Sequence, residues 1–521
     1  MEIRDKTLIV RTRHPQKYGV IPKIKHLPME NDLYPIEVPW GLEEARVLKN
    51  LGVKKVPSPI LREYNWPGRF KPFEHQKDTA SFFTLSRRAF CFNEPGTGKT
   101  MAALWAADYL MNRGEVRRCL VVSPLSIMQV AWLQDLNRSI VHRTAAIAYS
   151  TNADKRRTVI KNGYEFVITN YEGIAIIADE VRKDGGFDLI IVDEANAYKN
   201  VSTKRWKTLN ALLTPNTYLW MMTGTPAAQS PEDAFGLARL VNPGGVPRFA
   251  GAWRDKVMRK VSMFKWVPKE NAKDEVYRAL QPAIRYTKAE CLDLPPVLTE
   301  TREVELTPQQ RKYYNFLKSQ MLLNVAGETI TAVNAAASVN KLLQISAGAA
   351  YSDRKEVVEF DCTPRLNVLT EVLEETPRKV LVFALFRHTI DTIATHLKKL
   401  GITHGVIHGD VPASKRSLLF NKFQNTDDPH VLIIQPQAAA HGVTLTAADT
   451  VVFWGPVMSV ETYIQCIARS DRQGQTSDKV TVVHIEGSDI ERRMFTLLEG
   501  RVKDHNAIVK LYEDELTGRK P

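Results

Sequence analysis

Two arginines near the end of the chain, Arg469 and Arg472, lie in the segment QCIARSDRQGQ (465–475). Residues three positions apart share one face of a helix, so we expect both guanidinium groups to point the same way. Two forked guanidinium donors on one face match the oxygens of a phosphate group. A basic helix end that faces solvent has the same pattern, and a phosphate-binding element elsewhere in the chain would decide between the two interpretations.

Such an element lies far upstream, in the segment CFNEPGTGKT (91–100), between an apolar segment and the helical pattern MAALWAADYLM. The residues expected to contact a nucleotide are Gly96, Thr97, Gly98, Lys99 and Thr100. The two glycines allow the backbone to curl so that its N–H groups face a phosphate chain. The lysine supplies a cation for the β- and γ-phosphates of ATP, and the second threonine offers a hydroxyl to Mg²⁺. The strict pattern GxxxxGKT is not met, because Asn93 occupies the position of its first glycine.

A third segment, LIIVDEAN (189–196), is an apolar run that ends in two carboxylates. At the carboxyl end of a parallel strand these side chains would lie beside the phosphate loop. Asp193 would hold Mg²⁺, directly or through water, and Glu194 would orient and deprotonate the attacking water. An acidic pair at the end of a strand is common by itself, but together with the phosphate loop it predicts ATP hydrolysis.

The elements that must position these residues are short β-branched runs separated by longer helical patterns. Buried strands that alternate with helices are typical of parallel sheets. The runs are CLVVSP (119–124), EFVITN (165–170), LIIVDE (189–194), KVLVFA (379–384), HVLIIQ (430–435) and TVVFWG (450–455). They form two groups, one at about 70–245 and one at about 365–490, so we expect two parallel sheets.

Length and composition limit the class of protein. A chain of 521 residues exceeds one ordinary core, and 44% hydrophobic with 25% charged residues is typical of a soluble globular protein. The formal net charge of +13 favours a polyanionic partner, nucleic acid before membrane. The five dispersed cysteines argue against a zinc module or a disulfide framework. We find no secretory signal and no apolar run long enough to span a bilayer.

Four regions are expected along the chain: an N-terminal accessory region (1–65), a first lobe (66–248), a mostly helical insertion (249–360) and a second lobe (361–521). Residues 251–290 hold ten Lys or Arg against five Asp or Glu, a local excess of +5, with aromatic residues interleaved. A basic surface with aromatic residues among its cations is typical of binding to a nucleic-acid backbone. The alternative is a helical face exposed to solvent, with its aromatic residues in the core. Two helices are predicted at about 308–324 and 330–346. The N-terminal region could form a small domain or an arm packed on the first lobe.

Taken in order over residues 70–500, these segments resemble the superfamily 2 helicase-type motors and, among them, the SNF2 (Swi2/Snf2) family of DNA-dependent ATPases. The matching segments of the first lobe are PFEHQKDTASFF (72–83, Q motif), NEPGTGKT (93–100, motif I), LVVSPLSIMQVAWLQDL (120–136, motif Ia), VITNYE (167–172, motif Ib), DEANAYKN (193–200, motif II) and MMTGTPAAQSPEDAFGLARLVNP (221–243, motif III). Those of the second lobe are KVLVFALF (379–386, motif IV), IHGDVPASKR (407–416), QPQAAAHGVTLTAADTVVFWG (435–455, motif V) and QCIARSDRQGQ (465–475, motif VI). The motif I of this family also lacks the first glycine.

The resemblance implies further roles by position in these motifs. Gln76 would read the adenine edge, and the catalytic residues of motif VI would be Gln465, Arg469 and Arg472, the arginines acting as arginine fingers. Residues that would couple ATP to nucleic acid are Asn196, Thr223, Gly224 and Thr225. Residues that would contact the DNA backbone are Pro124, Thr169, Asn170, His408, Gly409 and Thr444.

The fold that the resemblance implies is α/β, with two RecA-like parallel-sheet lobes, and the implied cofactors are ATP and Mg²⁺. The implied function is an ATP-driven translocase on duplex DNA with low sequence specificity, since it would grip phosphates. A strand-separating, branch-migrating or annealing helicase in repair or replication is an alternative, and an ATP-gated DNA-binding clamp is a third. Three positions depart from the pattern of the family: Asn196 replaces a His, His441 a frequent Gly, and Ala468 another Gly. We expect a monomer in the cytoplasm of a bacterium, or of the host cell if a phage encodes it.

Overall fold

The computed structural model describes residues 1–183, 186–224, 230–261, 266–291, 294–325, 332–351, 357–438 and 443–500. The chain divides into two compact units, Met1–Cys291 and Leu292–Pro521. Each unit is built on a parallel sheet, and this confirms the expected α/β class with two such sheets. Among these residues, no helix is long and apolar enough to cross a membrane.

The N-terminal region is a small antiparallel sheet followed by two helices. Its elements are β1 (Glu2–Arg4), β2 (Thr7–Thr12), β3 (Lys25–His26), β4 (Tyr34–Pro39), α1 (Leu42–Asn50) and α2 (Ile60–Glu63). The strand order is β1-β2-β4-β3. Leu8, Val38 and Leu48 belong to the same buried cluster as Trp105 and Trp220 of the following region. The N-terminal region therefore packs on the first parallel sheet and shares its core.

The first parallel sheet has seven strands in the order β13-β5-β10-β9-β6-β8-β7. Its strands are β5 (Arg88–Cys91), β6 (Cys119–Val122), β7 (Ala145–Ile147), β8 (Phe166–Thr169), β9 (Leu189–Asp193), β10 (Tyr218–Met222) and β13 (Ala283–Ile284). The helices are α3 (Glu74–Thr84), α4 (Lys99–Asn112), α5 (Gln134–Ser139), α6 (Ala153–Lys161), α7 (Gly173–Lys183), α8 (Lys204–Leu212), α9 (Ala234–Val241), α10 (Ala250–Val257), α11 (Ala272–Ala279) and α12 (Lys288–Cys291). A basic hairpin pairs β11 (Met258–Lys260) with β12 (Trp266–Pro268).

Alternate residues of these strands face opposite cores, as strand geometry requires. Ile191 and Val121 lie in one buried cluster, whereas their neighbours Val192 and Leu120 lie in the other. Because helices cover both faces, the strands read as continuous apolar runs. The sheet therefore presents its polar residues only where its strands end, and at their carboxyl ends lies the candidate site.

The second parallel sheet has six strands in the order β14-β21-β20-β17-β19-β18. Its strands are β14 (Val297–Glu303), β17 (Lys379–Phe383), β18 (His404–Ile407), β19 (Val431–Ile434), β20 (Ala448–Phe453) and β21 (Val480–Glu486). The hairpin β15 (Ala349–Tyr351) and β16 (Val357–Glu359) lies outside it. The helices are α13 (Pro308–Val325), α14 (Ala332–Ala347), α15 (Thr363–Glu375), α16 (Arg387–Lys399), α17 (Ala413–Asn425), α18 (Val460–Ile467) and α19 (Asp489–Leu498). The two helices predicted between the lobes correspond to α13 and α14.

The predicted insertion at 249–360 differs from the structure, which places this stretch in both units. Its first part belongs to the first unit, because Trp253 and Val257 pack into a core cluster of the first sheet and β13 extends that sheet beside β5. Its later part belongs to the second unit, because β14 pairs in parallel with β21. Short strands joined to sheets that lie far away in sequence give no periodic signal of their own, so the boundary at 248 could not be corrected from the sequence.

Candidate active site

The phosphate loop connects β5 to α4, and its conformation depends on two glycines. Gly96 and Gly98 both adopt positive φ, at 90° and 77°. A Cβ added at Gly98 would overlap the amide nitrogen of Gln76, so a side chain there would also displace the Gln76 amide. Lys99 is the first residue of α4, a helix of 14 residues, and Thr100 follows it. The loop therefore meets the positive end of a helix dipole, where anions bind.

Gln76 is held against this loop from α3. Its Oε1 accepts a hydrogen bond from the backbone N–H of Phe73 at 3.0 Å, and its Nε2 donates to the carbonyl of Thr97 at 3.3 Å. The ring Nε2 of His75 lies 2.8 Å from the same carbonyl. His75 was not among the predicted residues, and its position immediately before Gln76 was the available signal. These two side chains fix the Thr97 peptide on which the curl of the loop depends.

Asn93, the departure from the strict loop pattern, is a buried brace. Its Nδ2 donates to the hydroxyl of Thr79 at 2.9 Å, and its Oδ1 accepts the backbone N–H of Tyr286 at 3.0 Å. Glu94 continues the brace, since its N–H donates to the carbonyl of Tyr286 and its Oε2 accepts the N–H of Lys288, both at 3.0 Å. A glycine at position 93 could not make the two side-chain contacts of Asn93. Sequence reasoning missed them because the partner segment lies almost two hundred residues away.

The acidic pair lies where β9 ends. Trp132, on a short π-helical turn (Met128–Leu133), donates its indole N–H to Oδ2 of Asp193 at 3.0 Å, and the backbone N–H of Glu194 donates to Oδ1 at 3.0 Å. Burial raises the pKa of the Asp193 carboxyl, while the nearby Lys99 ammonium acts in the opposite direction. The predicted loop lysine therefore lies near enough to the predicted metal ligand to favour its ionised form.

Glu194 stands in a left-handed backbone conformation, with φ 48° and ψ 57°. Such a conformation is costly for a residue other than glycine and is often found at functional sites. The hydroxyl of Tyr171 lies 2.8 Å from the carbonyl oxygen of Asp193 and 3.2 Å from that of Glu194. Sequence reasoning missed Tyr171, although it lies within the segment VITNYE.

Three of the four predicted coupling residues, Asn196, Thr223 and Gly224, lie close to this site. Thr223 follows β10, is fully buried, and donates its backbone N–H to the carbonyl of Cys91 at 3.0 Å. Gly224 lies against the phosphate loop, because a Cβ there would stand 2.8 Å from Cδ of Pro95. Asn196 lies on the 3-10 helix that follows Glu194. Thr225 lies outside the described residues.

The predicted DNA contacts of the first unit are less exposed than a surface role requires. Pro124 is buried, and Thr169 is fully buried with its hydroxyl donating to the carbonyl of Ala148 at 3.2 Å. Asn170 is also buried, and its Oδ1 accepts from Nη1 of Arg156 at 3.3 Å. The side-chain oxygens of Thr169 and Asn170 are thus engaged within the protein.

In the second unit, the helix that was expected to carry the two arginines ends before them. Helix α18 ends at Ile467, and Arg469 and Arg472 lie in the following turn, which Gly474 closes with a φ of 94°. Nη1 of Arg469 and Nη1 of Arg472 nevertheless both donate to the carbonyl of Val443, at 3.3 and 3.1 Å. The shared face was predicted from helical spacing, whereas a common acceptor in a neighbouring loop brings the two groups together.

The remaining predicted residues of the second unit differ in exposure. Gln465 is buried, and its backbone carbonyl accepts Nε of Arg469 at 2.7 Å. His408 is buried beside Arg387, and this burial and the neighbouring guanidinium lower its pKa. Gly409 and Thr444 are exposed. His441 lies outside the described residues.

The basic stretch at 251–290 combines the two interpretations made from its sequence. Trp253 is buried in the core, whereas Arg259 and Lys260 are exposed on the β11–β12 hairpin. Tyr286 donates its hydroxyl to Asp78 at 2.8 Å and so belongs to the structure around the phosphate loop. Trp253 and Tyr286 are therefore structural, whereas Tyr277 is exposed and, with the cations of this stretch, remains a candidate for contact with a nucleic-acid backbone.

The donor set of the first unit fits ATP with Mg²⁺. Gly96 and Gly98 curl the loop with positive φ, and a helix begins directly after it at Lys99. A hydroxyl at Thr100 and a buried carboxylate at Asp193 are the oxygen ligands that Mg²⁺ prefers. A parallel sheet with this loop and this acidic pair at its carboxyl edge defines a P-loop nucleoside triphosphate hydrolase.

Comparison with known proteins assigns the family. The model of the SNF2-related domain matches residues 75–348, and that of the helicase conserved C-terminal domain matches residues 364–474. The chain belongs to the SNF2-related family, and it is a helicase-like ATPase.

Several relatives show how far the similarity extends. The chain is 24% identical to mouse "Chromodomain-helicase-DNA-binding protein 1-like" over 80% of its own length and 47% of the relative. It is 27% identical to the Xenopus laevis "SWI/SNF-related matrix-associated actin-dependent regulator of chromatin subfamily A-like protein 1", covering 84% of this chain and 46% of the relative. "Putative protein p41" of Acyrthosiphon pisum secondary endosymbiont phage 1 is 26% identical, with 81% and 94% covered. The chain thus spans about half the length of the two animal relatives and matches nearly all of the phage protein.

A solved structure, "Sulfolobus solfataricus SWI2/SNF2 ATPase core in complex with dsDNA", is similar at 20% identity with a TM-score of 0.42, covering 87% of this chain and 95% of that one.

Proposed function

We propose that this chain is a DNA translocase, which hydrolyses ATP with Mg²⁺ to move along duplex DNA. The observation that carries the proposal is the hydrolytic constellation of the first unit: the phosphate loop, Lys99, and the buried Asp193 followed by Glu194. Its family membership supports DNA as the partner, since the mouse relative is named a helicase-DNA-binding protein. The formal net charge of +13 agrees with a polyanionic track.

In the proposed reaction, the residues of the first unit bind and orient ATP. Backbone N–H groups of the loop and Lys99 hold its phosphates, and Gln76 recognises the adenine edge while fixing the loop. Mg²⁺, held by Thr100 and Asp193, would neutralise charge on the phosphates. Glu194 takes the proton of the attacking water.

Arg469 and Arg472 are proposed to act as arginine fingers on the same phosphates. Their convergence on the Val443 carbonyl supports this role, because it holds two cations together in a turn rather than along a solvated helix face. When the cleaved γ-phosphate leaves after hydrolysis, the anion that the two arginines hold is removed, and we propose that this change drives a step along the strand.

Duplex DNA is proposed to be gripped through its phosphates, so the affinity depends little on base sequence. The exposed Gly409 and Thr444, together with the cations of the β11–β12 hairpin, are the candidates for direct contact. Pro124, Thr169 and Asn170 act from beneath the surface in this proposal.

The test is ATPase activity of the whole chain with duplex DNA, single-stranded DNA and RNA, in a salt series that counts the phosphates contacted. We expect duplex DNA to stimulate most, and displacement of the third strand of a triplex to accompany turnover. Glu194→Gln serves as the control against a contaminating ATPase, since it keeps ATP binding and loses turnover. Stronger stimulation by single strands or RNA would replace this proposal with a strand-separating helicase, and activity confined to forked substrates would replace it with a branch-migrating or annealing enzyme.

A further inference from the structure

The turn that follows β8 sends one aromatic side chain to the hydrolytic pair. The single hydroxyl proton of Tyr171 is shared between two acceptors, the carbonyl oxygens of Asp193 at 2.8 Å and of Glu194 at 3.2 Å. Both acceptors are backbone atoms, so this contact does not consume either carboxylate. It fixes the two peptide planes that flank the Cα atom of Glu194, and so the direction in which the Glu194 side chain leaves the backbone.

Those peptide planes need to be fixed, because Glu194 has φ 48° and ψ 57°. A non-glycine residue in the left-handed region persists only where its surroundings determine it. The Asp193 carboxylate is anchored separately, by the indole of Trp132 and the N–H of Glu194. Among the described contacts of this site, Tyr171 is the side chain that holds the Asp193 and Glu194 carbonyls from outside the strand.

The ring of Tyr171 is itself fixed. It packs edge-to-face against Tyr198 with centroids 5.8 Å apart, and the guanidinium of Arg205 stands 5.8 Å from its centroid.

The turn that carries Tyr171 also carries polar groups proposed to lie under the DNA-contacting surface. Arg156 donates to Oδ1 of Asn170 at 3.3 Å, and Nδ2 of Asn170 donates to Glu172 at 3.2 Å. A Cβ at Gly173 would overlap Oγ1 of Thr169 and crowd Oδ1 of Asn170, so this turn is tightly packed. The turn should therefore move as one piece, so that any displacement of it also displaces Tyr171.

We infer that Tyr171 is a positioning residue for ATP hydrolysis, holding Glu194 in its left-handed conformation and linking that conformation to the Thr169–Glu172 turn. The link to DNA rests on the proposed function. The positioning of Glu194 does not, because it follows from contacts within the first unit.

Tyr171→Phe tests the inference, and Tyr198→Phe is a matched control. Tyr198 is a buried tyrosine in contact with the same ring, and its hydroxyl has no hydrogen-bond partner within the described residues. We expect Tyr171→Phe to lower kcat roughly tenfold to a hundredfold, the loss typical of hydrogen-bond partners that orient the groups of a metal-dependent site. KM for ATP and the affinity for a fluorescent ATP analogue should stay within about twofold, because the loop is untouched. Tyr198→Phe should retain the kcat of the wild type.

Hydrogen exchange of the nucleotide-free chain supplies a readout that does not depend on activity. Tyr171→Phe should speed exchange in the peptide that spans 193–198, whereas Tyr198→Phe should not. A kcat within twofold of the wild type, or unchanged exchange in 193–198, overturns the inference. Loss of kcat in Tyr171→Phe from a chain that no DNA stimulates upholds the positioning of Glu194 and refutes the proposed translocase instead.

Discussion

The indole Nε1 of Trp132 donates a hydrogen bond of 3.0 Å to the carboxylate Oδ2 of Asp193, and both residues are buried. The donor favours the ionised carboxylate and so opposes the burial that raises the pKa of Asp193. Trp132, sixty-one positions before Asp193, thus favours the ionised form of the proposed metal ligand.

Trp132→Phe removes this donor. We expect the affinity for Mg²⁺ to fall roughly tenfold to a hundredfold, so that the Mg²⁺ concentration for half-maximal ATPase activity rises by the same factor. Trp105→Phe is the control, since it also deletes a buried indole, whose N–H donates to the carbonyl of Pro67 at 3.0 Å. An equal loss in both variants would mean that the effect is one of core packing.

Replacement of either motif VI arginine by lysine keeps the charge and removes the planar fork. If Arg469 and Arg472 act as arginine fingers, kcat should fall by about 10³ to 10⁵ in either variant while ATP still binds. Single-turnover hydrolysis and titration with a fluorescent ATP analogue separate these quantities. Arg492→Lys, at an exposed ion pair with Asp489, should leave both unchanged. Weakened ATP binding without a loss of kcat would contradict the assignment.

The second unit contains a buried ion pair whose loss should be costly. Nη2 of Arg365 lies 2.8 Å from Oε2 of Glu491, and the two side chains are 2% and 1% exposed. Arg365→Met leaves the carboxylate buried without its cation, so we expect the free energy of unfolding to fall by about 3–5 kcal/mol in urea titrations. Adding Glu491→Leu should recover much of that loss.

Arg302→Met is the matched control for this pair, because Arg302 forms solvent-accessible ion pairs with Glu300 and Glu375. A change of at most about 1 kcal/mol is expected there. If Arg365→Met costs no more than this control, the buried pair does not hold the second unit together.

Lys49 of α1 predicts a pH dependence of the N-terminal packing. Burial, with a smaller contribution from Arg46, lowers its pKa from 10.5 to about 8. Between these values the folded protein holds a neutral amine where the unfolded chain holds an ammonium, so stability rises with pH through that window and is lowest below it.

Lys49→Met removes this ionisation. The difference in the free energy of unfolding, variant minus wild type, should therefore grow as the pH falls from 10.5 to about 8 and then stay constant. Urea unfolding in a pH series measures it, and Lys25→Met on β3 controls for the loss of an exposed cation. A difference that does not change with pH would show that Lys49 stays charged in the folded protein.

Local pattern was sufficient for the parts of the site that one segment builds. The curl of Gly96 and Gly98, the helix that begins at Lys99, and the strand that delivers Asp193 and Glu194 follow from apolar runs and glycines close together in sequence. Their side chains were predicted to lie at one sheet edge, and the influence of Lys99 on Asp193 agrees with that.

Contacts between distant segments could not be predicted in the same way. The bonds of Trp132, Tyr171 and Tyr286 to the loop and the acidic pair join segments tens to hundreds of residues apart, and no spacing rule encodes them. The spacing of Arg469 and Arg472 predicted that both lie on one face of a helix. Helix α18 ends before them, and they lie together because both donate to the carbonyl of Val443 in another loop.

The brace between the phosphate loop and the segment around Tyr286 has a mechanical consequence. Asn93 and Glu94 grip Tyr286 and Lys288, and the first unit ends only three residues later, at Cys291. The segment that ends the first unit is therefore a structural part of the phosphate loop, and a displacement of either one acts on the other through these hydrogen bonds.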